Sequence, residues 1–416
     1  MKPSFLESLG DHPLVLFPDF RKFFSGRFAS AVGDKFFSIA LAWWVVSSGE
    51  ENSSLHLGLL MGITMIPIIL FGPFMGTLAD RFHRKKCMVY ADILRLVLIL
   101  GLSATLAGGK LSLPLLYLFV FFISLFMPLF EAAANSSLQD LTDTKHVASA
   151  AAINATAFQF SSVLGAALGG VALAALGPLG AFLFNGGTFC LSLGLILSIR
   201  ADLSPPPRKT RRATYFQEMR EGLAYLKDNP PVGLLLALFG AFNFFFSPVL
   251  LAIPLAVRFL LQKGPLWVGL FEASLATGAL LGAIYLSFRI FQNPYRRMIG
   301  GLLATALGMV LFGLPHNEYI MLGALFLAGL GLGTVNATAP ALFQKVVPPE
   351  VKGRFFAILT AVCYAVMPLA FVLFGFLNGL ISLRILLVLN GGGAFLLALG
   401  ILKIPKIPPE EISREE

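Results

Sequence analysis

Charge is what this 416-residue chain has least of: 13% of its residues are Asp, Glu, Lys or Arg, about half the share of an ordinary soluble domain. With 57% hydrophobic residues, no water-soluble fold could hide so much apolar surface. Hydrophobic blocks recur from Phe23 to Leu402 and leave no room for a soluble domain. Cysteine is also scarce. Cys87, Cys190 and Cys363 show neither metal-ligand spacing nor a pairing pattern, so free thiols, no metal and no cofactor are expected. His12, His56, His83, His146 and His316 all fall in expected loops or at a terminus, which leaves no catalytic constellation at mid-membrane and argues against an embedded acyl or glycosyl transferase. The first twenty residues carry Glu7, Asp11 and Asp19 and no apolar run, unlike a cleavable signal peptide. The first hydrophobic segment is expected to direct insertion itself.

What the chain does have is hydrocarbon-length segments. A helix crosses the ~30 Å apolar layer with about 20 residues, and such segments are predicted near 23–48, 55–79, 88–108, 112–136, 148–174, 179–199, 232–257, 266–288, 298–314, 319–343, 355–380 and 385–402. The expected class is an all-α polytopic membrane protein of twelve transmembrane helices. Of 31 basic residues, only Lys110, Arg258, Lys263 and Arg384 lie in one set of alternate loops, and only Arg27, Lys35 and Arg95 lie within spans. The rest line the opposite face, which predicts both termini in the cytoplasm. The net charge of +9 therefore follows topology, and no nucleic-acid partner is expected.

Sliding the chain by 205 positions lays Gln139 on Gln344, Gly170 on Gly375, and Asn185, Gly186 and Gly187 on Asn390, Gly391 and Gly392. Six spans per copy make parallel repeats with a cleft between them. The predicted organisation is residues 1–200, a cytoplasmic linker over 201–231, and residues 232–416. Within the linker, Phe216, Met219, Leu223 and Leu226 share one helical face. That pattern fits an amphipathic helix at the lipid headgroups or a solvated basic connector. Gly165 with Gly169, and Gly278 with Gly282, are small-residue pairs expected to pack where the two copies meet.

Between the second and third spans stands Gly76-Thr-Leu-Ala-Asp80-Arg81-Phe-His83-Arg84-Lys85-Lys86, which resembles the Gly-x-x-x-Asp-Arg-x-Gly-Arg-Arg loop of the major facilitator superfamily. Gln344 to Ala357, with Gly353 and Arg354, and the segment Ser30-Ala-Val-Gly33-Asp34 resemble its branch of macrolide efflux proteins and the enterobactin exporter, and more distantly the lysophospholipid transporter. The resemblance implies a secondary transporter in a bacterial inner membrane, working as a monomer by alternating access. It also implies a charge cluster of Asp80, Arg81, Arg84 and Lys85 that helps hold one state closed, with Glu131 as the acidic partner of Arg84 or else reaching the interface. His83 stands where the family has a glycine, and His tolerates positive φ. Gly165-Ala-Ala-Leu-Gly169-Gly170 lacks the proline of the antiporter motif.

Charge within a span calls for a reason. Asp34 falls near the middle of the first span, with Ser30 and Ser38 a turn to either side, so a polar stripe is expected to face the cleft. It is a proton-coupling candidate, or else the partner of Arg27 two turns away. Glu272 is a second candidate for coupling, or an outer-gate or structural group. Asp92 and Arg95, three apart in the third span, are expected to pair with each other or with the Asp80 cluster. Asn243 amid Phe244 and Phe246, and Asn336, offer few polar groups among aromatic walls, which suits a bulky amphiphile or simply packs in lipid. The expectation is proton-coupled efflux of a hydrophobic or amphiphilic compound, with protons and membrane lipids as partners. A lysophospholipid or lipid-precursor flippase is the alternative.

Overall fold

The computed structural model describes residues 12–205, 215–287, 294–314 and 317–402. Among the described residues every regular element is helical, and eleven helices are long and apolar enough to cross a bilayer. One of them, Val147–Leu197, has 51 residues, about twice what a crossing needs at ~1.5 Å rise per residue. It turns at Gly177, whose backbone sits at φ 67° and ψ −177°, and the next residue, Pro178, has no amide hydrogen to continue the ladder. The two limbs, 147–176 and 178–197, are spans five and six, which brings the crossings to twelve. Spans one to four are Pro18–Ser47, Ser53–Arg81, Arg84–Ala107 and Leu113–Ser136. Span seven is Pro230–Leu260, and spans eight to twelve are Leu266–Ser287, Pro294–Gly313, Glu318–Val346, Pro349–Leu377 and Leu383–Leu402.

The conformation at Gly177 is essentially reserved for glycine. Gly177→Ala is expected to lower stability by about 1–3 kcal/mol although the site has open space around it. Thermal unfolding in detergent checks this, and an unchanged midpoint would remove the strain argument.

The chain forms two compact units, Met1–Trp44 with Ile66–Lys209 and Val45–Met65 with Thr210–Glu416. The division falls in the linker, while 45–65 groups with the second unit. Each unit repeats one packing device. In the first, Gly186 of span six lies over Leu96, Ile99 and Leu100 of span three; in the second, Gly391 of span twelve lies over Ala306 and Val310 of span nine. The 205-residue register thus places equivalent glycines on equivalent helix pairs.

The small-residue pairs do something other than expected, because their tight contacts lie inside each unit. A Cβ on Gly165 would stand 2.7 Å from the Cβ of Lys35, and one on Gly169 would press on Phe36 and Ile39, so span five is seated on span one. Gly278 and Gly282 of span eight meet the backbone of Phe326 and Leu330 of span ten. Neighbouring helices of one bundle need close approach as much as any interface between bundles does.

The linker helix is Tyr215–Asp228. Gly222 packs on Arg354 and Ile358 of span eleven, and Glu221 pairs with Arg354 at 2.9 Å. One face is therefore held by protein, while Leu223 remains 54% exposed on another. Phe216 and Met219 have side chains outside those described.

Candidate functional site

Helical periodicity brings separated residues to one cavity within the first unit. Arg27, Ala31 and Asp34 recur along span one; Met127, Phe130 and Glu131 recur along span four; Phe158 and Ser162 lie a turn apart on span five. With Ser30, Lys35 and Arg95 they enclose about 230 Å³. The wall mixes apolar side chains with charges, as ligand sites do.

Arg95 organises the charge. Its Nη2 donates to both carboxylate oxygens of Asp34 at 2.7 Å, its guanidinium carbon stands 4.3 Å from the centre of the Phe189 ring, and its Nη1 lies 4.0 Å from Oδ1 of Asp92. Asp92 is fully buried, and Ser192 donates to its other oxygen at 2.7 Å. Asp34 is one-third exposed, at 32%. One buried guanidinium therefore serves two carboxylates, bonded to the cavity-lining one and held short of the buried one. Span three was expected to join Asp92 and Arg95; the stronger partner of Arg95 is Asp34, which comes from a helix sixty-one positions away.

Span one is placed by its glycine. A Cβ on Gly33 would lie 2.6 Å from Oδ1 of buried Asn185 and would overlap the Thr188 hydroxyl. The residue before Asp34 thus sits directly on span six, in the Asn-Gly-Gly block of the repeat.

Two expected pairings are corrected. Glu131 does not partner Arg84: it takes Arg27 at 2.5 Å, and Arg27 also donates to Asn135 at 3.3 Å. Asp140, on the short helix Leu138–Leu141 after span four, supplies the carboxylate for Arg84, which also donates to the Ser136 carbonyl at 2.7 Å. Nine residues of largely helical chain separate Glu131 from Asp140, roughly 13 Å, so one arginine cannot serve both. Arg27, open as a partner for Asp34, is engaged elsewhere. Reversing either charge of the Arg27–Glu131 pair alone is expected to destabilise the protein, and the double exchange Arg27→Glu with Glu131→Arg to recover about 0.5–3 kcal/mol of that loss. Melting the four forms side by side measures it; a double mutant no better than the singles would refute the pairing.

The loop after span two ties down the end of span six. Lys85 donates to the carbonyls of Leu197 and Ile199 at 2.9 and 2.8 Å, and Lys22 to that of Ser198 at 2.9 Å. Cations are favourable at such helix C-termini. Asp19 accepts from the amides of Arg200 and Ala201. His83 has φ −58°, so the glycine it replaces is not needed for a left-handed backbone. Its Nε2 lies 3.4 Å from Asp202, whose carboxyl is held below its ordinary value by the hydroxyl and amide of Ser204. Asp80 is half-buried and Arg81 exposed.

Other expected residues stand apart from the cavity. Ser38 is exposed and donates to the Lys35 carbonyl. In the second unit Asn243 donates to the Phe239 carbonyl at 2.9 Å and contacts Sγ of Cys363 at 3.6 Å. Phe246 is buried against Phe242, Phe244 meets Phe245 edge-on, Asn336 is exposed and Glu272 is buried. Sequence reasoning missed Met127, Phe130, Phe158 and Ser162 as lining residues. Their i, i+3 and i, i+4 spacing was visible, but which face turned inward was not.

The model of the Major Facilitator Superfamily matches residues 23–371 and again 293–416. Macrolide efflux protein A of Streptococcus pyogenes is 24% identical over 374 residues, 85% of this chain and 88% of that one. The putative bacilysin exporter BacE of Bacillus amyloliquefaciens is 27% identical over 366 residues, covering 84% and 87%. Among solved structures, the nucleoside transporter NupG superposes with a TM-score of 0.75 at 11% identity over 93% of this chain and 100% of its own. A D-xylose-proton symporter superposes with a TM-score of 0.72 at 16% identity over 94% and 98%. Twelve crossings, the charged loop between spans two and three and the extent of the family match lead to one conclusion: this chain is an integral membrane transporter, not an enzyme, and belongs to the major facilitator superfamily.

Proposed function

We propose that this secondary transporter exports a hydrophobic or amphiphilic compound in exchange for protons, as a monomer in a bacterial cytoplasmic membrane with both termini inside. The efflux proteins among its relatives support export, and the distribution of basic residues supports the orientation. One observation carries the coupling: Asp34 lies on the cavity wall with its carboxylate held by Arg95, while buried Asp92 waits 4.0 Å from the same guanidinium. Protonating Asp34 removes its charge, and Asp92, oriented by Ser192, becomes the anion nearest to Arg95. The guanidinium can shift across the Phe189 ring without leaving a cation–π contact. Proton occupancy and cavity shape are thus linked through one side chain. Glu272 is buried but lines no part of this cavity, so Asp34 is the preferred proton carrier.

Proteoliposomes loaded with a compound chosen by thermal stabilisation test the coupling. A pH gradient is expected to drive accumulation by the natural protein, and Asp34→Asn to abolish that accumulation while keeping counterflow exchange. Flux by the natural protein that ignores the gradient would rule out the proton.

A further inference from the structure

We infer that the compound bound in the first-unit cavity is a zwitterion, an apolar molecule with an ammonium and a carboxylate a few ångströms apart. This rests on the reading of that cavity as the substrate site. Both carboxylates on its wall are already bonded to guanidiniums: Asp34 to Arg95 at 2.7 Å and Glu131 to Arg27 at 2.5 Å. The charge is balanced, with Arg27, Lys35 and Arg95 facing Asp34 and Glu131 and with Asp92 directly behind Arg95.

A purely cationic or purely anionic ligand would add an unmatched charge to a wall whose charges already balance, competing there with an arginine or a carboxylate for its partner. That excess charge is costly beside guanidiniums as buried as those of Arg95 and Arg27. A zwitterion inserted into a pair replaces both halves at once. Its ammonium takes the carboxylate, its carboxylate takes the guanidinium in the forked geometry arginine favours, and the balance is unchanged. Ala31, Met127, Phe130 and Phe158 then cover the apolar remainder. At about 230 Å³ the cavity is smaller than the about 300–1,000 Å³ of drug-sized sites, so it suits a part the size of an amino acid or a short peptide end.

Equilibrium binding to the purified full chain, without any pH gradient, tests this with three probes of one skeleton: the dipeptide Leu-Phe, its N-acetyl form, which is an anion, and its C-terminal amide, which is a cation. The zwitterion is expected to bind at least about tenfold more tightly than either blocked form, a gap of ~1.4 kcal/mol. The double substitution Arg27→Gln with Glu131→Gln, which keeps the balance but leaves one pair, is expected to weaken the zwitterion while the Asp34–Arg95 pair retains the preference. An amide or acetyl form that binds as well as the zwitterion, or no binding by the zwitterion whatever else binds, overturns the inference. A transported compound whose affinity is untouched by Asp34→Asn would instead fault the placement of the substrate site. Loss of pH-gradient coupling alone would fault only the proton.

Discussion

Arg95→Ala is expected to lower stability by about 3–5 kcal/mol, the range seen when one partner of a buried ion pair is removed. The reason lies in what the guanidinium leaves behind. Asp92 is fully buried with one oxygen turned toward Arg95, and without the arginine its charge has only the Ser192 hydroxyl. Asp34, one-third exposed, can recruit water and suffers less. Adding Asp92→Asn to Arg95→Ala should therefore recover more stability than adding Asp34→Asn. Arg95→Lys should fall between, since an ammonium keeps the charge but not the planar fork or the stacking on Phe189. Thermal melts of the detergent-purified series decide it. An Arg95→Ala protein within about 0.5 kcal/mol of the natural one, the ordinary range for a surface change, would mean that the guanidinium is not the hub of this site. The same series bears on transport: Arg95→Ala rescued by Asp92→Asn folds but has lost both the guanidinium and the second carboxylate it would turn to, so proton-driven flux should stay absent while the melting point rises.

Span ten should respond to alanine with opposite signs at positions a few turns apart. Gly329 and Gly333 lie against the backbone of span eight: a Cβ on Gly333 would collide with the Ala279 carbonyl oxygen and stand 2.7 Å from its carbon, and one on Gly329 would overlap the Leu275 carbonyl. No rotamer change relieves a clash with backbone, so the helices must move apart. Each Gly→Ala change is expected to cost about 1–3 kcal/mol or more. Because both act on one interface, the pair should not be additive. Gly323, on the same helix, has nothing within 4 Å of a built Cβ, and Gly323→Ala is expected to stabilise by up to about 1 kcal/mol through helix propensity. Equal effects at all three would show that propensity, and not close approach, governs this helix. Gly278 makes the reciprocal contact from span eight, 2.9 Å from the Leu330 amide nitrogen, so Gly278→Ala should behave like Gly333→Ala.

The first unit shows how far residues alone could take the site. Asp34 was visible as an acid inside an apolar run, because hydrocarbon penalises charge wherever it falls. Arg95 and Asp92 were visible as neighbours on one helix face. That Arg95 prefers Asp34 could not be read, since it depends on how spans one and three turn toward each other, and Gly33 against Asn185 and Thr188 sets that turn. Glu131 went to the wrong arginine for the same reason. Its place in the chain matched a family role, but its rotation about span four aims it at Arg27, and the short helix after span four delivers Asp140 to Arg84.

Crossing number and the tandem repeat were decided by sequence alone. A bilayer tests segment length and polarity residue by residue, and a shared register needs no third dimension to be seen. Only the tertiary structure decided which charge answers which, which glycines press on which backbone, and that a cavity in the first unit holds two guanidinium–carboxylate pairs. Those choices depend on the rotation of each helix about its own axis. Neighbour packing sets that rotation to within a fraction of a turn, and hydropathy, nearly uniform around most of these helices, does not record it.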